Sequence, residues 1–167
     1  HEMTHIFVFD PNLITLFASI GMHERNGFTY YTIKSDNVVQ KAREHFGCST
    51  LTGVELENQG ASGSANSHWE ARIMLGDYMI STNYGDQVIS DITLALFEDS
   101  GWYKVNYYTG GLFRFGKGQG CSFLTDNCVT NGETSFPNDF CLSQGGPRCS
   151  SSHLFYGFCY LGNFYTG

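Results

Sequence analysis

Apolar residues recur at helical spacing in two stretches of the chain. In Ser35–Phe46, Val39, Ala42 and Phe46 fall on one side. Ser35 or Asp36 can cap its start, and Gly47 can end it. In Asp86–Ser100, the stripe is Val88, Ile89, Ile92, Ala95 and Leu96, with Gly101 suited to the C-terminal cap. Residues 1–9 read as a third helix. Asp10-Pro11 ends it, because the residue before proline avoids helical geometry. Gly27–Ile33 predicts a short strand, while the rest of 12–34 is aromatic with no clear period. Trp102–Tyr108 predicts another strand. Gly53–Ser67 reads as a loop ending in a run of small residues, Gln59 to Ser67. After Gly110 the chain becomes rich in Gly, Cys and aromatics, as a disulfide-tied subdomain would. There is no internal repeat and no linker long enough to separate two domains.

Composition narrows the function. The 167 residues are 41% hydrophobic and 16% aromatic, enough for an ordered core. The net charge is -7 with only 9 Lys+Arg. That excludes nucleic acid and polybasic membrane contact, both of which need clustered cations. No apolar run approaches the ~20 residues of a membrane span. Six cysteines (Cys48, Cys121, Cys128, Cys141, Cys149 and Cys159) contain no C-x-x-C pair. Disulfides formed in an oxidising compartment are the better reading, with their pairing left open. The chain opens on His1-Glu2 with neither an initiator Met nor a signal-peptide pattern, so a processed or partial chain is expected.

The chemistry lies in His1-Glu2-Met3-Thr4-His5, an H-E-x-x-H motif. Four-residue spacing puts His1 and His5 on one helix face, able to grip one Zn²⁺ ion. Glu2 sits beside that metal as a general base. The motif alone is only suggestive. His68 supplies a third ligand, and Met79 follows it within Gly76-Asp77-Tyr78-Met79-Ile80-Ser81. The remaining residues have blander readings. His23, His45 and His153 suit surface or hydrogen-bonding roles. Met3, Met22 and Met74 suit packing. Asp77 and Glu70 suit solvated carboxylates. Tyr103, Tyr107, Tyr108, Tyr156, Tyr160 and Tyr165 suit strand packing.

With those ligands placed, the chain resembles the leishmanolysin family of metzincin metalloproteases. There a long insertion separates the H-E-x-x-H helix from the third His. The resemblance runs through Lys41–Leu51, through Glu57–His68, through Leu94–Tyr103 and through Gly120–Cys128, and so covers nearly the whole chain. It implies an α+β fold. Residues 1–109 would form a metzincin-type C-terminal catalytic subdomain, mostly helices and loops with a Met-turn. Residues 110–167 would start a cysteine-rich, loop- and strand-rich subdomain. It also implies that His1, His5 and His68 bind zinc, that Glu2 is the base, and that Met79 is the apolar floor beneath the metal. Cys48–Cys121 and Cys141–Cys159 disulfides are implied, with Cys128 and Cys149 pairing further along the chain or, failing that, with each other or staying free.

Two departures matter. The family usually has Gly three residues after the second His, where this chain has Val8. A β-branched residue there resists a positive φ, so either the helix ends differently, near Asp10-Pro11, or the site is distorted. The residues after Met79 also lack the family's proline. The N-terminal sheet that packs on a metzincin active-site helix is missing here, so a further N-terminal segment is expected to complete the fold. The leading function is a zinc endopeptidase acting on protein or peptide substrates, extracellular or at the cell surface, with room for a membrane anchor outside this stretch. The alternative is a catalytically impaired relative with an adhesion or structural role in an extracellular assembly. A disulfide-rich binding module with a chance motif is disfavoured by His68 and Met79.

Overall fold

The computed structural model describes residues 1–25, 27–60, 63–83 and 85–161. Tyr165, and Ala61 and Ser62 of the small-residue run, lie outside them. The fold is α+β. Helix α1 (Glu2–Phe7) and the one-turn α2 (Pro11–Ile14) lead into a hairpin of β1 (Ile20–Arg25) and β2 (Phe28–Ile33). Helix α3 (Asp36–Phe46), the two-residue strand β3 (Val54–Glu55) and α4 (Ala71–Met74) follow. Then come α5 (Asp91–Asp99), a 3-10 turn at Tyr107–Thr109, α6 (Cys121–Thr125), and a second hairpin of β4 (Pro147–Cys149) and β5 (Tyr156–Phe158). Among the described residues, no helix is long and apolar enough to cross a membrane.

Helix α1 stops two residues short of the predicted end, and Val8 explains how. The Thr4 carbonyl accepts from both Val8 N–H and Phe9 N–H, at 2.9 Å each. Val8 has φ -156°, so no left-handed residue is needed, and its side chain is wholly buried. Asp10-Pro11 closes this segment and opens the next. The Asp10 carboxylate accepts from Asn12 and Leu13 N–H, and Pro11 occupies the first turn of α2, where a missing N–H costs nothing.

The antiparallel sheet has the order β1-β2-β3, with Ile20 opposite Ile33 and Thr32 opposite Glu55. Strand β2 occupies the predicted region. Strand β1 leaves little trace in the sequence because it is an edge strand and most of its side chains are exposed or half-buried. Its ladder to β2 holds it, not an alternating apolar face. The predicted loop from Gly53 also gives way to pairing. Leu56 bridges Trp69, and Trp69 bridges Ile80.

Helices α3 and α5 pack together through Val38, Ala42 and Phe46 on one side and Ile92, Ala95 and Leu96 on the other. The start of α3 is not capped by Ser35 or Asp36. The Asp99 carboxylate, at the end of α5, accepts from Asn37 N–H at 3.0 Å and Val38 N–H at 2.9 Å. Ser35 Oγ is buried without a partner. Helix α5 starts at Asp91, later than predicted. Ser90 caps it, accepting from Thr93 N–H at 3.2 Å. Residues before Ser90 are drawn into extended pairing instead. Val88 N–H donates to Gly76 carbonyl, and Tyr78 N–H to Val88 carbonyl.

Trp102–Tyr108 forms no strand. The Asn106 side chain accepts from Tyr108 N–H and starts the 3-10 turn. Tyr107 donates to Glu98, and the Lys41 ammonium lies 4.6 Å from its ring centre. Tyr108 is 97% exposed and Tyr160 83%, so these are not strand-packing tyrosines. Met3 and Met22 are likewise exposed, while Met74 is buried.

The core continues past Gly110. Phe115, Phe136 and Phe140 surround Phe123, which in turn stacks on Phe46 of α3 with ring centres 6.0 Å apart. Gly116, at φ +67°, lies so close that a Cβ there would sit 2.3 Å from the Phe123 ring. The last carbonyls of α3, those of His45 and Phe46, accept from Gly118 and Gly120 N–H. Disulfides join Cys48 to Cys121 beside this junction and Cys141 to Cys159 across the second hairpin. Among the described residues, Cys128 and Cys149 form no disulfide.

Two predictions follow from this packing. Asp99→Ala should lower unfolding stability by about 1–2 kcal/mol through loss of the cap, while Ser35→Ala should be neutral or stabilising; thermal melts of both variants check this. Burial pushes His45 below its ordinary pKa, opposed by its bond to the Phe115 carbonyl. A depressed histidine contributes stability that is full above the unfolded value of about 6.5 and lost as pH falls. His45→Gln keeps a donor but cannot titrate. The melting-temperature gap between wild type and His45→Gln should therefore narrow as pH drops from about 8 to 5.

Candidate metal centre

Helical spacing places His1 and His5 on one face of α1, while His68 arrives from the ladder at the other side. His68 is held from two directions. Its carbonyl accepts from Glu57 N–H at 2.9 Å, and the next residue, Trp69, donates to the Met79 carbonyl at 3.0 Å. The histidines therefore meet because backbone bonds join the β3 extension to the turn at Gly76–Met79, while side-chain contacts dock α1 on both: His1 on the Tyr78 carbonyl, Thr4 on the Tyr78 hydroxyl and the Phe9 ring against Trp69.

The Nε2 atoms of His1 and His68 lie 3.1 Å apart, and those of His1 and His5 3.3 Å. One ligand nitrogen from each residue lies within 4.8 Å of the others. Each opposite ring nitrogen is occupied. His1 Nδ1–H donates to the Tyr78 carbonyl at 2.6 Å, and His5 Nδ1–H to the Phe9 carbonyl at 2.9 Å. His68 Nδ1–H donates to the Ser64 carbonyl at 2.9 Å. In the neutral rings these partners fix the tautomer and leave a lone pair on each Nε2 atom. Three lone pairs facing one another at this distance repel unless a cation lies between them. Two nitrogens on a tetrahedral zinc, each ~2.0–2.1 Å from it, would be about 3.3 Å apart. The donor set therefore fits a zinc-like ion, and backbone carbonyls behind the imidazoles are the usual outer support.

Exposure is graded across the cluster. His68 is buried, His5 half-buried and His1 exposed. Burial pushes His68 below its ordinary pKa, and the Ser64 carbonyl partly offsets this. The neutral form that a metal needs is thereby favoured. Glu2 lies exposed in the first turn of α1, near enough for its charge to act on His68. Met79 is wholly buried in the turn whose Tyr78 carbonyl receives His1.

Two carboxylates depart from the solvated reading. Asp77 is wholly buried. Burial pushes its pKa up, and bonds from Ser90, Met79 and Thr93 pull it back. Glu70 is half-buried and caps α4 through Arg72 N–H at 3.1 Å. Burial, then the Glu57 charge, pushes it up to about 7. Sequence reasoning missed Asp77, Thr93 and Tyr78. The available signal was an acidic residue two positions before Met79, followed by the helix start at Ser90-x-x-Thr93.

The leishmanolysin peptidase family model matches residues 1–165. The chain belongs to the leishmanolysin family. It is similar to a leishmanolysin homolog of Crithidia fasciculata, 38% identical over 164 residues, covering 95% of this chain and 25% of that protein. It is 32% identical over 163 residues to leishmanolysin of Leishmania major, covering 95% of this chain and 27% of that protein. A leishmanolysin-like peptidase of Drosophila pseudoobscura pseudoobscura is 50% identical over 91 residues, covering 54% of this chain and 13% of that protein. The chain thus spans about a quarter of the length of the leishmanolysins it matches end to end.

Proposed function

We propose that this chain carries the zinc-binding and catalytic part of a metalloendopeptidase that hydrolyses peptide bonds of proteins outside the cell or at its surface. Residues 1–109 hold the site, and residues 110–167 begin the cysteine-rich part. The observation that carries this reading is the convergence of three imidazole Nε2 atoms, each ring held from behind by a carbonyl.

His1, His5 and His68 would hold the zinc, with the buried Met79 as the apolar floor of the site. A zinc ion held there would supply Lewis-acid activation of water and of a peptide carbonyl. Glu2 would act as the general base, accepting a proton from water and returning it to the leaving amine. The three carbonyls behind the imidazoles keep the lone pairs aimed while charge moves through the site. A further N-terminal segment completes the substrate cleft, and any membrane anchor belongs outside these residues. The disulfides support an oxidising, extracellular location.

The competing reading, an impaired relative kept for adhesion or assembly, drew on Val8. Val8 is buried at an ordinary φ, and His5 keeps its bond to Phe9 just beyond it. Both observations support the hydrolytic reading.

In the full-length protein, zinc should bind one-to-one. His68→Ala should lose it. Glu2→Gln should keep the zinc and slow peptide cleavage about 10²–10⁴-fold. Metal analysis and cleavage assays on purified protein check both; undiminished cleavage by Glu2→Gln would remove Glu2 from the mechanism, and zinc retained by His68→Ala would remove His68 from the ligand set.

A further inference from the structure

We infer that Asp77 is a positioning residue for the metal site, acting on two of the three histidines through one buried hydrogen-bond network. The inference rests on the zinc reading above, but its evidence is separate.

An ionised carboxylate is costly to bury unless its oxygens are fully engaged. Asp77 meets that condition. Its Oδ1 accepts from Met79 N–H at 2.7 Å. Its Oδ2 accepts from Ser90 N–H at 3.1 Å and from the Thr93 hydroxyl at 2.8 Å. The Thr93 hydroxyl, having given its proton to Asp77, accepts from Trp69 Nε1–H at 2.8 Å. Asp77, Thr93 and Trp69 are all wholly buried.

These bonds reach the site by two routes. The first passes through the turn. Asp77 fixes Met79 N–H, and the peptide between them carries the Tyr78 carbonyl that orients His1. The second passes through the indole. Thr93 holds Trp69, the residue after His68, whose own N–H is bonded to the Met79 carbonyl. Moving the carboxylate would therefore release the Tyr78 carbonyl and the His68 backbone together. His5 stands outside this circuit, since its carbonyl partner is Phe9, at the end of its own helix.

A merely structural carboxylate would affect stability alone. A positioning carboxylate also affects how well the imidazoles converge. Zinc affinity, measured by competition with a chromophoric chelator on folded full-length protein, separates the two. Asp77→Asn keeps one acceptor but turns N–H groups toward Ser90 and Thr93. Its zinc affinity should fall about 10–100-fold, the usual range for outer-shell partners. Thr93→Val removes the hydroxyl bridge and should also weaken zinc binding, while Thr93→Ser should restore it. Phe136→Leu, in the aromatic cluster around Phe123 and bonded to no member of the network, should lower the melting temperature yet leave zinc affinity within about twofold. Wild-type affinity in Thr93→Val and in folded Asp77→Asn overturns the positioning role and leaves the zinc reading standing. A wild-type protein that binds no zinc overturns both.

Discussion

Three imidazole lone pairs directed at one point form an arrangement that proteins do not adopt without a reason. Each ring, when neutral, would gain by turning away, because the three lone pairs repel one another. The chain prevents this by fastening every ring at its far side. His1 is fastened by the Tyr78 carbonyl, His5 by Phe9 and His68 by Ser64. The three fasteners belong to three different segments. The site therefore exists only while those segments keep their relative positions, and the rest of the structure is best understood as the means of keeping them.

Those means are mostly backbone pairing and two carboxylate devices, one of them wholly buried. The sheet continues beyond β3 through Leu56–Trp69 and Trp69–Ile80, so the His68 segment is gripped on both sides. Val88 adds another pairing to the turn that carries Tyr78. Asp77 then ties this turn to the start of α5, and Asp99 ties the end of α5 to the start of α3. The far end of α3 is closed by Gly118 and Gly120 and by the Cys48–Cys121 bond. Helix α5 thus links the three histidines to the aromatic cluster around Phe123. Carboxylates used in this way tolerate little change, since each lost oxygen leaves buried N–H groups unpaired.

The helices with a clear apolar stripe were legible, and so were the histidines. The 3.6-residue period marks α3 and the later part of α5, and four-residue spacing pairs His1 with His5. Local signals failed wherever a partner distant in sequence decided the outcome. Val88 has the right spacing for α5, yet it pairs with the turn because backbone donors there await it. Ser35 has the right chemistry for a cap, yet Asp99 takes the role. Strand β1 shows no alternation because both its faces are largely open. Asp77 read as an ordinary acid because burial is a tertiary property. Trp102–Tyr108 has strand-forming residues, but no neighbouring strand offers it a ladder, and Asn106 bends it into a turn. His68 stands out as an available third ligand ahead of Met79, and the resemblance to leishmanolysins strengthens that reading, since residues between His5 and His68 fix no distance until they fold.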